Sequence, residues 1–306
     1  PPPSYSEILA RRFDSLGAAL GQEFMVNSYT THFQAYPRVS PDSSGDFVVI
    51  WTSYHQDPYF PAGVFGRRFD SIGAPVGMEF RINNLGGQPA VSREPSGGFC
   101  VVWERNQQSF QRDVYGRRFD SSGSPIGSEF IINSFTTYEQ QYSDISHDSL
   151  GNFVVVWQSR GNDGSQWGIF GQRFNTSGAR LGSEFQINTY THTYQIRPEV
   201  SHAADGGFVV TWQSLYHDGN YWGVFGQQFD SSGAPQGDEF QVNIYTPFTQ
   251  SHAVVSHASG RDFVVAWHSD RQDGSGFGVF ARSFATGVAT GSAARGASKL
   301  RTFRRD

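Results

Sequence analysis

Phe153-Val-Val-Val-Trp157 is one copy of a five-residue motif that decides the fold of this 306-residue chain. The motif begins with phenylalanine, ends with tryptophan and recurs roughly every 54 residues. Its other copies are Phe47-Val-Val-Ile-Trp51, Phe99-Cys-Val-Val-Trp103, Phe208-Val-Val-Thr-Trp212 and Phe263-Val-Val-Ala-Trp267. A period of this length indicates a propeller, a solenoid or an array of repeated units.

Each repeat contains four strand signals, which we name A to D. In the fourth repeat they lie around Val200 (A) and at residues 208–212 (B), 223–229 (C) and 239–243 (D). The segments are short, rich in β-branched and aromatic residues, and bounded by Gly, Pro, Asp, Asn and Ser. Strand B is apolar throughout, which predicts burial on both faces. A four-stranded sheet buried on both faces and repeated in this way is a propeller blade.

The two ends of the chain predict how the propeller closes. Residues 8–28 match strands C and D of a repeat, whereas the last repeat has lost its own strand D signal. We expect residues 22–27 to complete the last blade, because an unpaired strand is an open edge for other chains. The sequence therefore predicts an all-β, five-bladed β-propeller of four-stranded antiparallel blades, closed by an N-terminal strand.

The repeat boundaries predict one domain over residues 1–284. Its blades are expected at about 35–83, 88–133, 142–188, 197–243 and 252–284, the last with 8–28. Residues 285–306 turn to Ala, Gly and Arg and predict an irregular or disordered basic tail.

Composition and charge exclude several classes of function. The net charge of −5 argues against a large nucleic-acid interface. No run of 18 apolar residues is present, so we expect no membrane span. The single cysteine, Cys100, occupies a valine position and is expected to be buried. His147, His202 and His257 recur after strand A, but other repeats lack them, so we interpret them as turn residues and predict no metal and no cofactor.

The connections between strands B and C and between strands D and A carry the candidate ligand-binding residues. They combine aromatic rings with Asp, Asn, Thr and Gln, as a sugar requires for its C–H face and its hydroxyls. The candidates are Asp163, Trp167, Asp218, Trp222, Asp273, Phe277, Tyr29, Phe135, Tyr190, Tyr245, Gln140 and Gln195. The alternative interpretation is that Asp-Gly marks an ordinary turn and that the rings cover the blade ends.

The sequence predicts no catalytic residue. One glutamate recurs in each repeat near strand D, namely Glu23, Glu79, Glu129, Glu184 and Glu239. Because an enzyme needs one asymmetric site, we interpret this repeated acid as a structural partner of strand C arginines such as Arg68 and Arg173.

Two phrases of the third repeat resemble those of large secreted or surface bacterial repeat proteins. They are Gly-Gln-Arg-Phe-Asn-Thr-Ser-Gly at residues 171–178 and Gly-Ser-Glu-Phe-Gln-Ile-Asn at residues 182–188. The predicted architecture is also similar to that of five-bladed lectins of the tachylectin-2 type. These resemblances imply an extracellular or cell-surface bacterial protein, whose signal peptide is not present in this chain, with glycan sites between blades.

The function expected from these features is non-enzymatic, multivalent glycan binding. A structural or protein-interaction scaffold within a larger surface assembly is the alternative, and a glycoside hydrolase is the third possibility. The expected partner is a glycan or a protein surface, and the sequence leaves the oligomeric state open.

Overall fold

The computed structural model describes residues 6–108, 111–258 and 260–285. The chain divides into two compact units, Pro1–Ile132 and Asn133–Asp306. All regular elements in the described residues are β-strands, and each sheet is antiparallel. The predicted basic tail, residues 285–306, lies outside the described residues except for Ala285.

The first unit contains an N-terminal hairpin and two complete blades. The hairpin consists of β1 (Leu9–Ala10) and β2 (Phe24–Met25), which pair with each other. Blade one consists of β3 (Gln34–Pro41), β4 (Phe47–Tyr54), β5 (Ala62–Phe69) and β6 (Pro75–Arg81). Blade two consists of β7 (Ala90–Arg93), β8 (Phe99–Gln108), β9 (Gln111–Phe119) and β10 (Pro125–Ile131).

The second unit contains blades three, four and five. Blade three consists of β11 (Gln140–His147), β12 (Phe153–Arg160), β13 (Trp167–Phe174) and β14 (Arg180–Gln186). Blade four consists of β15 (Gln195–His202), β16 (Phe208–Leu215), β17 (Trp222–Phe229) and β18 (Pro235–Gln241). Blade five has three strands in the described residues, β19 (Gln250–His257), β20 (Phe263–Asp270) and β21 (Phe277–Phe284).

The structure confirms the predicted fold class, an all-β, five-bladed β-propeller of antiparallel blades. The strands of each complete sheet follow one another in the order A, B, C and D. Strand D starts earlier than predicted: β18 begins at Pro235 instead of Glu239, because residues 230–234 form a tight turn closed by backbone bonds. Closure of the last blade by residues 22–27 and the single-domain boundary stay predictions.

In blades one to four both faces of strand B belong to the core, whereas in blade five one face is open, with Val264 38% exposed. In blade three, alternate residues of β12 point to opposite faces of the sheet, yet the whole run from Phe153 to Trp157 is at most 2% exposed. One face supplies Val154 and Val156, which pack with Trp212 and Phe208 of blade four. Blade four therefore covers this face of blade three.

Cys100 confirms the expectation of a buried thiol. It is fully buried within β8, and burial raises the pKa of its thiol to about 12. The side chain therefore acts as a small hydrophobic residue at a position that is valine in the other repeats.

The buried and half-buried tryptophans provide a test of this core. We expect Trp157→Ala to lower the free energy of unfolding by about 3–5 kcal/mol, because it empties a large site in a closely packed interior. Trp222→Ala should cost much less, since this ring lies at the start of β17 and is only half-buried. Urea unfolding followed by circular dichroism measures both, and equal losses of stability would contradict the assignment of the core.

Candidate functional site

The B–C connections of the second unit are tight turns organised by their aspartates. A carboxylate oxygen of Asp163 accepts the backbone N–H of Ser165 at 2.9 Å, and Asp218 accepts that of Asn220 at 3.1 Å. Asp273 does the same with Ser275 at 3.3 Å. The three predicted ligand-binding aspartates thus occupy one repeated turn, in which the side chain satisfies backbone donors.

The D–A connections are organised by a buried asparagine. The side-chain amide of Asn188 donates to the carbonyl of Tyr190 at 2.9 Å, while its oxygen accepts the N–H of Ile169 at 2.6 Å. Asn243 makes the corresponding bonds with Tyr245 and Val224. The asparagine therefore joins the end of strand D to strand C and fixes the course of the chain that follows.

Gln140 and Gln195 support the same connections from within the protein. Both are fully buried. Gln140 donates to the carbonyl of Thr137 at 2.9 Å, and Gln195 donates to the carbonyl of His192 at 2.7 Å. These two glutamines hold the D–A connection, and the ligand contact predicted for them stays a prediction.

The predicted aromatic residues lie in different environments and do not form one repeated stacking surface. Tyr190 stacks on His217 with ring centroids 3.9 Å apart, and the Tyr29 hydroxyl donates to the carbonyl of His55. Phe277 is 64% exposed. The remaining members of the set are all half-buried, namely Phe135, Tyr245, Trp167 and Trp222. Their predicted contact with a ligand stays a prediction.

A cleft of about 560 Å³ lies beside His217 in the second unit. Its walls include Asn188, Thr189, His217, Phe225, Gln227 and Glu239. The His217 ring lies between Tyr190 and Phe225, with ring centroids 3.9 and 4.0 Å away. Burial lowers the pKa of His217, and the neighbouring carboxylates of Glu239 and Asp218 oppose this effect.

Glu239 connects blade four to the preceding blade. One of its carboxylate oxygens accepts both the N–H and the hydroxyl of Thr189, at 2.7 and 2.9 Å. The other lies 3.3 Å from Nδ1 of His217. Glu184 binds Ser134 in the same way, and Glu79 binds Ser28. The repeated acid is therefore a latch between neighbouring blades.

The latch corrects the partner expected for the glutamates. The strand C arginines reach a different place, the C–D turn of the next blade. Arg173 donates to the carbonyls of Ser231 and Ser232, and Arg68 donates to that of Ser121. The structural interpretation was right, but the pairing with arginine was wrong, because strand D and the tip of strand C extend to opposite neighbours.

Removal of the latch has a measurable consequence. Glu239→Ala should lower the free energy of unfolding by about 1–3 kcal/mol, because two donors on Thr189 lose a buried charged acceptor. Glu129→Ala is the matched control at the same repeat position, where the carboxylate is 42% exposed and lies 3.4 Å from the guanidinium of Arg105. Urea midpoints should separate the two variants, and a control that loses as much stability as Glu239→Ala would refute the latch.

The three histidines after strand A pack against rings of strand B instead of being solvated in turns. The ring centroids of His147 and Phe153 are 5.0 Å apart, and those of His202 and Phe208 are 5.4 Å apart. Burial lowers the pKa of His202 to about 4. The charged form of this imidazole is therefore disfavoured in the folded protein.

The depressed pKa of His202 predicts a loss of stability in acid. An unfolded His titrates near 6.5 and the folded one near 4, so the unfolded chain binds the extra proton first. The contribution of neutral His202 to the free energy of unfolding should be fully present above pH 6.5 and should be lost as the pH drops towards 4. The urea midpoint of His202→Gln should fall less than that of the wild type over this interval. Parallel curves would exclude His202 as the titrating group.

A second cluster lies along the strands A of blades three and four and was missed by the sequence analysis. Each strand has a break in register, between Gln141 and Asp144 in β11 and between Ile196 and Glu199 in β15. Each break contains a non-glycine residue in the left-handed region, Tyr142 with φ 53° and Arg197 with φ 55°. Such conformations are costly and concentrate at functional sites.

The contacts within this cluster join the two strands. The guanidinium of Arg197 lies 4.8 Å from the centre of the Tyr142 ring. The backbone N–H of Arg197 donates to the buried side-chain oxygen of Gln158 at 2.9 Å. Asp144 accepts the N–H of Val200, the residue after Glu199, at 2.8 Å. Asp144 and Glu199 hold the same repeat position and are both half-buried.

Blade five extends the cluster with two imidazoles. His252 occupies the position of Tyr142 and Arg197 in β19, with φ 53°, and its ring centroid lies 5.3 Å from that of His268. Burial lowers the pKa of His252, and the charges of Arg197 and His268 add to the effect. We use the name strand A cluster for five strand A residues and one residue of β20 that lies beside them. They are Tyr142, Asp144, Arg197, Glu199, His252 and, from β20, His268. The sequence signal for it was the pair of acids at one repeat position, where other repeats have Arg38 and Val254.

The described residues contain no group of three or more His, Cys, Asp or Glu placed to hold a metal ion. The cluster therefore offers carboxylates, a guanidinium, a phenol and imidazoles as its chemical groups. These groups can move protons and bind hydroxyl-rich substrates.

Comparisons with known proteins relate the chain to others through its fold. No protein-family model and no curated protein matches it in sequence. A Penicillium chrysogenum α-L-arabinanase complexed with arabinobiose is 13% identical, with a TM-score of 0.55 over 81% of this chain and 80% of that one. A Fusarium graminearum α-L-arabinofuranosidase with arabinobiose is 12% identical, with a TM-score of 0.53 over 81% and 80%.

A Dyadobacter fermentans protein of unknown function is 10% identical, with a TM-score of 0.57 over 82% of this chain and 78% of that one. At these identities the likeness concerns the fold. The two similar structures described above that carry a named activity are glycosidases, which overturns the expectation of a non-enzymatic, lectin-like glycan-binding protein. In the described residues, no helix has the length and apolar character needed to cross a membrane.

Proposed function

We propose that this protein is a glycoside hydrolase whose catalytic carboxylates are Asp144 and Glu199. The observation that carries the proposal is the placement of these two acids at one position of neighbouring strands, beside the strained residues Tyr142 and Arg197. Most glycosidases use two carboxylates on either side of the bond they cleave. The fold shared with arabinan- and arabinofuranoside-cleaving enzymes supports the same reaction class.

The groups around the two acids suit a sugar substrate. The Arg197 guanidinium presents a planar set of donors that binds hydroxyl and carboxylate oxygens. The ring of Tyr142 adds an apolar face with a polar tip. His252 stays neutral near pH 7, because its lowered pKa disfavours the imidazolium, so it both donates and accepts hydrogen bonds.

The acids divide the work of hydrolysis between them. One protonates the leaving oxygen, and the other attacks the sugar or activates a water molecule. The anomer released first reports which route is used, because attack by the carboxylate followed by water retains the anomeric configuration, whereas direct attack by water inverts it. Arabinose-containing oligosaccharides are the first substrates to test. An extracellular or cell-surface location remains part of the proposal.

Substitution of the acids tests the proposal. Asp144→Asn and Glu199→Gln should each lower kcat on an arabino-oligosaccharide by at least about 100-fold, because each removes one proton-transfer or nucleophilic group. Asp205→Asn is the matched control, since this carboxylate is 48% exposed and pairs with Arg261 in the same unit. Reducing-sugar release is measured for all four proteins, with thermal unfolding as the check of folding.

Two results would reject the proposal. One is hydrolysis that persists in both acid variants at the wild-type rate. The other is the absence of hydrolysis by the wild type across arabinosides, sialosides and common hexosides.

A further inference from the structure

The cleft of about 560 Å³ beside His217 contains a buried carboxylate oxygen without a hydrogen bond. The Glu239 side chain is only 6% exposed, and its Oε2 accepts both donors of Thr189. Its Oε1 and the Nδ1 of His217 lie 3.3 Å apart but form no hydrogen bond, and neither atom has another partner in the described residues. Leaving a buried acceptor without a donor costs free energy. The cleft therefore presents an acceptor to a ligand that donates.

The same glutamate oxygen is satisfied in blades one and three. Oε1 of Glu79 accepts the side-chain amide of Gln56 at 2.5 Å, and Oε1 of Glu184 accepts that of Asn162 at 2.9 Å. His217 stands at the position of these two amides in blade four. Burial lowers the pKa of His217, so the ring is neutral near pH 7 and leaves the negative charge beside it uncompensated.

A guanidinium group lies at the corresponding boundary of three other blades. In blades one, two and five an arginine of strand C donates to a carbonyl that directly follows the last strand of the preceding sheet. The three bonds join Arg67 to Val26, Arg117 to Ile82 and Arg282 to Val242, at 3.0, 3.5 and 2.9 Å.

The same three guanidinium groups lie over phenylalanine rings at the end of strand C. The distances to the ring centroids are 5.7 Å for Arg67 and Phe69, 5.8 Å for Arg117 and Phe119, and 5.0 Å for Arg282 and Phe284. A cation over an aromatic face is attracted by the ring. The repeat therefore contains a place for a guanidinium, made of a ring and a carbonyl.

Blade three places a different arginine at this boundary. Gln172 stands at the strand C position, and Arg180 of strand D donates to its side-chain oxygen at 3.3 Å. Arg180 also donates to the carbonyl of Asn133, the second residue after β10, at 3.4 Å. A guanidinium is thus present at this boundary in blade three as well.

Blade four lacks both arginines. Gln227 stands at the strand C position, and Pro235 stands at the position of Arg180. The amide of Gln227 donates to the carbonyls of Gln228 and Gly237, at 3.0 Å each, and both acceptors belong to its own blade. The side chain that crosses to the preceding sheet in the other blades is therefore replaced by one that turns back.

The cleft keeps the groups that hold a guanidinium elsewhere in the chain. Its lining includes Ile187, the counterpart of Val26, and Phe229, the counterpart of Phe69. Asp238 and Glu239 add two carboxyl groups, and none of the described residues that line the cleft is arginine or lysine. The site therefore has the ring, the carbonyl and the acidic charge that suit an organic cation.

We propose that this cleft binds the guanidinium group of arginine, either as the free amino acid or within a peptide. The guanidinium lies over Phe229 and donates to the carbonyl of Ile187 and to Glu239. Its planar set of five donors suits several acceptors at once, whereas the ammonium of lysine is a compact point charge. The lining shares no residue with the strand A cluster, so the site is separate from the proposed site of hydrolysis.

Two arginine ligands and one lysine ligand provide the probes. N-acetyl-L-arginine N-methylamide represents arginine within a peptide, L-arginine is the free amino acid, and N-acetyl-L-lysine N-methylamide is the control. NMR titration of the nitrogen-labelled full chain follows the backbone amide of Thr189, which donates to Glu239. We expect saturable shifts with the arginine ligands and weaker binding of the lysine ligand. The tighter of the two arginine ligands identifies the source of the group.

Three variants place the binding in the cleft. Gln227→Arg should abolish it, because the new side chain fills the cleft as Arg67 fills its place in blade one. Gln236→Arg is the matched control and should retain binding, since it adds the same group on β18 outside the lining. Asp238→Asn changes an exposed residue and should weaken binding about twofold to fivefold, the size of an exposed ion pair. Circular dichroism checks the folding of all three.

Three outcomes would overturn the proposal. They are the absence of saturable shifts in the wild type with both arginine ligands, full binding by folded Gln227→Arg, and equal binding of the lysine ligand. None of these readouts depends on hydrolysis, so the result is separate from that for Asp144 and Glu199.

Discussion

Burial of strand B on both faces is the constraint on which the rest of the structure depends. A strand that contacts water on one face can alternate apolar and polar residues. The run from Phe208 to Trp212 in blade four does not, because blade three packs on one of its faces and blade five on the other. The recurrence of this run explains the period of the sequence.

Polar side chains set the spacing between blades once the apolar faces are in contact. Glu239 of blade four accepts donors from the D–A connection that follows blade three, and Arg173 of blade three donates to the C–D turn of blade four. These bonds link blades three and four within the second unit.

The strands A are where the repeats differ in chemistry. Strand B is constrained by packing, and the turns are constrained by Asp, Asn and Gly, so both keep their residues from blade to blade. The break in strand A tolerates Tyr142, Arg197 or His252 in the same left-handed conformation, and the position two residues later holds Asp144 in blade three and Glu199 in blade four. An asymmetric site on a repetitive fold arises most simply at such a variable position.

The sequence by itself determined the strands, the turns and the propeller, because the period of the Phe-to-Trp motif and its two-sided burial allow few other arrangements. It also identified Cys100 and the tryptophans of strand B as core residues. It did not determine which polar residues meet. The pairing of Glu239 with Thr189 and His217, the burial of Gln195 and the cluster around Asp144 and Arg197 all join residues from different repeats or different strands. Only the tertiary structure decided these contacts, because the sequence fixes the order of the strands within a blade, whereas the lateral packing of one blade on the next fixes which side chains face each other.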